Sequence, residues 1–116
     1  QSKKQIEKLK KEVKKGYAAA MESTLRLTTL VDNLEKAPQK ADKAAVEKEL
    51  SEIEALLKSI NNDRGQVLAD RYNSVVGDVR QVLADPSDNN LNNMIEGFNG
   101  YIDTYNSTTP DQFDAK

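Results

Sequence analysis

Residues 42–60 read DKAAVEKELSEIEALLKSI. The large apolar side chains of this stretch recur at Val46, Leu50, Ile53, Leu57 and Ile60, steps of three and four that set them on one side of an α-helix. Asp42 precedes the run and reads as an N-cap, and Asn61-Asn62 closes it. Lys43/Glu47, Lys48/Glu52 and Glu54/Lys58 stand four apart on the outer face, where each pair is worth a few tenths of a kcal/mol, ~0.3.

Outward from this helix the same period returns three times. Ile6, Val13, Ala20, Leu27 and Leu34 form an earlier run, within a helix expected over residues 2–35 and ended by Pro38. Leu68, Tyr72, Val75, Val79 and Val82 form a third, expected over 63–85, because Pro86 disfavours helical geometry in the residue before it. Leu91, Ile95, Phe98, Ile102 and Tyr105 form a fourth, from Ser87 or Asp88 to Asn106. Asn89, Asn90, Asn92, Asn93 and Asn99, with Gly97 and Gly100, make it a poor intrinsic helix that forms by packing. The pattern predicts an all-α protein, an antiparallel up-and-down four-helix bundle with a long first helix. Leu27, Leu57, Val75 and Phe98 are expected in its core. Gly16 is a candidate bend, and Gly97 and Gly100 are candidate sites of close helix approach. The Asn61-Asn62-Asp63 break reads as a reversal, with a kinked continuous helix as the open alternative. Residues 1–116 form one domain, with 1–15 as a basic helical extension and 108–116 as a coil tail in which Phe113 is a candidate anchor.

Composition excludes much chemistry. The chain has no Cys and no His. Thiolate nucleophiles, disulfides, Cys-ligated zinc, histidine triads and imidazole-bound metals are therefore absent from it. Inward Glu and Glu-x-x-His, which di-iron bundles require, are missing too, and the glutamates 47, 49, 52 and 54 fall mostly outside the apolar stripe. Asp88-x-Asn90-x-Asn92 opens like a calcium loop, but Asn93 stands where Gly is needed and Asn99 where a bidentate Glu is needed. No catalytic residues, cofactor or metal are expected.

The net charge of −2 hides an asymmetry. Residues 1–15 hold seven Lys against Glu7 and Glu12, and the remaining chain is acidic. Lys4, Lys8, Lys11 and Lys15 form one comb, nearly opposite Ile6, Leu9 and Val13. It suits an anionic membrane surface or a cell-wall polymer. Nucleic acid is not expected, since the body is acidic and neither Arg nor an aromatic residue interleaves the lysines. No stretch approaches the ~18 apolar residues of a membrane span. Tyr17, Tyr72, Tyr101 and Asn99 are candidate ligand or partner contacts, although aromatic residues at stripe spacing also serve as core.

Asn89 is followed by Phe98-Asn99 and then Tyr105-Asn106. This resembles the closing helix of the LemA family, and Lys15-Gly16-Tyr17-Ala18 resembles an element of that family's first helix. The two patches depart from the family in lacking the Arg expected ahead of Phe98. The resemblance implies a helical bundle outside the membrane, tethered by an N-terminal segment, with no established enzymatic activity. The expectation is a non-enzymatic, extracytoplasmic bundle of the bacterial cell envelope, membrane-tethered or lipoprotein-like, with its anchor upstream of Gln1. It would act as a protein-interaction or scaffold module. The alternative is a bundle that binds a small ligand or senses one between helices near Tyr17, Tyr72 and Tyr101.

Overall fold

A computed structural model describes the backbone of residues 3–60 and 63–108 and the side chains of residues 16–60 and 63–108. Four helices account for nearly all of it: α1 (Lys3–Lys36), α2 (Lys43–Lys58), α3 (Asp63–Ala84) and α4 (Asp88–Ser107). A single 3-10 turn, Pro38–Lys40, links α1 to α2. Among the described residues there is no strand.

The helix ends follow from side chains that satisfy orphaned backbone groups. Asp42 accepts from the Ala44 N–H at 3.0 Å and starts α2. Ser87 accepts from the Asn90 N–H at 3.2 Å and starts α4. The Asn90 side chain also donates to the Asp85 carbonyl at 2.9 Å, closing the end of α3. This contact gives Asn90 a structural role in place of the calcium-loop pattern. Gly16 does not interrupt α1.

Contacts between helices fix the topology. As the residue number rises on one helix, the partner number falls on the next. Arg26 on α1 meets Glu49 and Glu52 on α2. The Tyr72 hydroxyl on α3 donates to the Leu50 carbonyl, and Arg80 meets Glu47 further back. Asp78 on α3 lies against Gly97 on α4, and Asp85 receives Asn90. Tyr17 bonds Tyr105, while Ser23 and Thr24 meet Tyr101. Each helix therefore runs antiparallel to its neighbours, and α4 closes the ring on α1. The chain reverses between α2 and α3. Gly65 is needed at that reversal: a Cβ there would stand 2.5 Å from Ile60 Cγ2 and 2.7 Å from the Ile60 carbonyl oxygen.

The core holds the whole α2 run and the whole α3 run, with Ala20, Leu27 and Leu34 from α1. Ile6 and Val13 lie outside the described side chains. Helix α4 is rotated from expectation. Met94 and Tyr101 are its buried residues, while Phe98 is half-buried with its ring stacked on Tyr101 at 6.5 Å between centroids. The inward line is Leu91, Met94, Phe98, Tyr101 and Tyr105; Ile102 packs against the core from its edge, and Ile95 turns toward the rim. Of the expected ion pairs within α2, Glu54–Lys58 forms at 3.1 Å. Glu47 and Glu52 instead reach across to Arg80 and Arg26. A guanidinium fork matches a carboxylate better than a lysine on the same helix does.

The first helix outruns its neighbours. Its 34 residues span ~51 Å and the 22 of α3 span ~33 Å at ~1.5 Å per residue. Tyr17 already pairs with Tyr105, two residues before the end of α4. Residues 3–15 of α1 therefore extend about 20 Å past that end, and the long axis of the molecule reaches 59 Å.

Candidate functional site

The polar groups at the centre of the bundle are committed to each other. Ser23 and Thr24 are buried on α1, and both hydroxyls donate to the Ala20 carbonyl, at 2.9 and 2.7 Å. The Tyr101 hydroxyl, fully buried, sits 3.2 Å from Ser23 Oγ and 3.0 Å from Thr24 Oγ1. Burial raises the Tyr101 phenol above its ordinary range, so it stays neutral and able to donate. Tyr72 is also buried, donates to Leu50, and is likewise raised by burial. Tyr105 is pushed up to about 12 by burial and by its hydrogen bond with Tyr17. These hydroxyls work as internal fasteners.

The candidate residues thus fall in three places. Tyr17 and Tyr101 meet the α1–α4 seam, and Tyr72 lies on the far side of the core, beneath α2. Asn99 is exposed on the outer side of α4. Lys4, Lys8, Lys11 and Lys15 lie on α1, but their side chains are outside the described residues, as are the tail 109–116 and Phe113. An open cleft of about 500 Å³ lies at the α2–α3 turn against Leu57, Ile60 and Gly65, and one of about 420 Å³ lies at the α1–α2 turn against Leu30, Leu34 and Val46; neither is lined by a tyrosine. A groove of about 290 Å³ between α3 and α4 is lined by Arg64, Arg71 and Asp103. Tyr72 borders only a polar notch of about 160 Å³. Tyr17 and Tyr101 line none of these. Among the described residues no group of acidic side chains is placed to hold a metal ion, and no helix is long and apolar enough to cross a membrane.

The outer face of α1 and α4 has a different character. On α1 the α4-facing flank carries Tyr17 and Thr24. Met21 follows Tyr17 by four and Thr28 follows Thr24 by four, so they share that flank. Leu25 follows Met21 by four and lies further out. Met21 is 42% exposed and Leu25 62% exposed. On α4 the side turned to α3 carries Asn90 and Gly97. Ile95 and Ile102 fall on the opposite flank, beside Phe98, and of the two Ile102 packs against the core. All three are half-buried, and Asn92, Asn99 and Asn106 stand exposed next to them. In a chain that is 31% charged, this strip holds only apolar, amide and hydroxyl side chains. Protein interfaces carry the same signature at their centres.

Glu22 and Glu35 on α1 and Asp88 on α4 border the strip, while Glu96 acts on Asp78 of α3 and Asp103 lines the α3–α4 groove with Arg64 and Arg71. Helix α4 contains no Lys or Arg. Among the described side chains of α1, residues 16–36, the basic ones are Arg26 and Lys36. Arg26 is clamped by Glu49 and Glu52, and Lys36 pairs with Asp32 at 3.0 Å. The Arg26 guanidinium in turn holds Glu49 below the usual carboxylate range. Met21, Leu25 and the outward Ile95 were not singled out by sequence reading. The available signal was that Ala18, Met21 and Leu25 repeat every three or four residues off the core stripe.

The chain matches no protein-family model, no curated protein and no solved structure.

Proposed function

We propose that this chain is a non-enzymatic interaction module of a bacterial cell envelope. In this reading it is held outside the membrane by a segment upstream of Gln1, and it contacts a protein partner through the α1–α4 face. The observation that carries the reading is the uncharged, partly apolar strip of Met21, Leu25 and Thr28 on α1 and Ile95, Asn99 and Ile102 on α4, with Met21 and Leu25 exposed on it. Leaving two large apolar side chains four apart in water serves no purpose in the core, and a contiguous patch of this kind is where partners bind. The internal use of the Tyr72 and Tyr101 hydroxyls supports the same reading over a ligand chamber between helices. The envelope setting draws on the LemA-like residues, Lys15 to Ala18 and Phe98-Asn99 with Tyr105-Asn106. The Lys4, Lys8, Lys11 and Lys15 comb would meet the anionic surface beside the anchor.

The test is a pair of charge insertions, Met21→Glu with Leu25→Glu, in the full-length protein expressed in its source bacterium. A protein that copurifies with wild type should be lost from the double variant and kept by Ser74→Glu, an exposed position on α3. The purified double variant should keep its melting temperature within about two degrees, as solvated surface changes do. Equal recovery from all three forms would place the contact elsewhere.

A further inference from the structure

We infer that the cleft at the α1–α2 turn binds a small amphiphilic anion, a medium-chain carboxylate whose tail enters the cleft and whose head meets Lys40. This site is separate from the α1–α4 face and from the tyrosines, and it does not depend on that face meeting a partner. Three observations carry it.

The first is how the cleft arises. The core stripe of α1 ends at Leu30 and Leu34, and that of α2 begins at Val46. Beyond them, where the two stripes converge on the connection, Ala37, Ala41 and Ala45 stand in place of large side chains. Ala37 and Ala41 are half-buried and Ala45 is exposed. Single methyl groups leave the space between the two helix ends unfilled, where larger side chains would close-pack it. The result is an open concavity of about 420 Å³, floored by Leu30, Leu34 and Val46 and walled by the three alanines. Its size falls within the ~300–1,000 Å³ of small-molecule sites. Water against such a floor is released when an apolar chain takes its place, which favours binding.

The second is charge. Three charged residues line the cleft, Lys36, Lys40 and Asp42. Lys36 pairs with Asp32 at 3.0 Å. The Asp42 carboxylate accepts from the Ala44 N–H at 3.0 Å and is committed to capping α2. Lys40 is exposed and has no ion pair among the described residues. The uncommitted charge at the mouth is therefore positive, and it complements an anionic head.

The third is what surrounds the hollow. Its chain neighbours Glu35, Gln39 and Lys43 are exposed, as are Lys36, Lys40 and Asp42. A protein partner needs ~800 Å² of contact on each side, with few charges at its centre. A charged collar around one apolar hollow does not offer that. It fits a molecule that is apolar at one end and charged at the other.

The test is a methyl chemical-shift titration of the purified chain with decanoate at neutral pH, below micelle formation. The Leu34 and Val46 methyls should shift together and saturate with a dissociation constant of about 0.1–1 mM, the range open to a ligand of this size. The methyls of Val75 and Val79, on α3, should stay in place. Decyltrimethylammonium, with the same tail and the opposite charge, should bind at least about fivefold more weakly. Ala45→Trp fills the mouth and should weaken decanoate by about tenfold or more, whereas Ala44→Trp, exposed one residue away and outside the cleft, should bind as wild type. Lys40→Glu should weaken decanoate and remove the preference over the cationic probe, with the melting temperature unchanged as for a solvated surface change. The inference is overturned if decanoate leaves the Leu34 and Val46 methyls unmoved. Equal binding of the two probes to wild type, or decanoate binding indifferent to Lys40→Glu or to Ala45→Trp, overturns it as well.

Discussion

Replacing Tyr101 by Phe removes one oxygen from the middle of the α1–α4 seam and leaves the ring in place. The structure sets the size of the effect. The lost hydroxyl lies 3.0 Å from Thr24 Oγ1 and 3.2 Å from Ser23 Oγ. Both of those side chains keep a hydrogen bond to the Ala20 carbonyl, so no donor is stranded. The loss is then one to two ordinary hydrogen bonds, each worth about 1 kcal/mol net, or about 1–2 kcal/mol in total. Removing the ring as well, in Tyr101→Ala, should cost about 3–5 kcal/mol. Urea unfolding followed by circular dichroism at 222 nm should show the Phe variant with a lower midpoint and an unchanged m-value. Thr24→Val should then cost less in the Phe background than in wild type, with a coupling of at least about 0.5 kcal/mol. A Phe variant as stable as wild type, or strictly additive costs, would mean that the hydroxyl cluster does not fasten α4 to α1.

Gly65→Ala should destabilise by about 1–3 kcal/mol, because the new methyl meets Ile60, including its backbone oxygen, within 2.7 Å; an unchanged urea midpoint would show that the α2–α3 turn relaxes freely. Asp78 has its carboxyl raised by burial, with Glu96 adding to the effect. Its contribution is favourable below the ordinary carboxylate range, near pH 4, and is lost as pH rises through the raised value. Asp78→Asn should therefore increase the melting temperature at pH 7 and leave it unchanged at pH 3, and a decrease at pH 7 would contradict this. Changing Lys4, Lys8, Lys11 and Lys15 together to Gln should abolish cosedimentation with anionic vesicles at low salt while leaving the melting temperature within about a degree; equal sedimentation of both forms would remove the surface-contact role.

Helices α2 and α3 were legible because their apolar residues are large, evenly spaced and bounded by Asp42, the Asn61-Asn62-Asp63 break and Pro86. Every residue of those two stripes is buried. Helix α4 was legible as a helix but not in its rotation. Isoleucines at 95 and 102 and a methionine at 94 offer two overlapping stripes, and composition does not choose between them. Packing does. Gly97 must face Asp78 and Asn90 must reach the end of α3, which turns Met94 and Tyr101 inward and Ile95 outward. The cross-helix Arg26 clamp was hidden for a similar reason, since pairing rules within one helix say nothing of an arginine twenty-three residues away. The proposed binding face was the least visible part. It is defined by what α1 and α4 jointly lack, and that appears only once the two helices are side by side.

The central claim is that the α1–α4 face, and not the opposite side of the bundle, meets a partner. A photo-crosslinking residue placed at Leu25 and, separately, at Ser74 in the full-length protein in its source cells tests this most directly. A discrete adduct from position 25, absent from position 74 and lost when Met21 is also changed to Glu, is the predicted result. No adduct at 25, or equal adducts at both positions, would contradict the account.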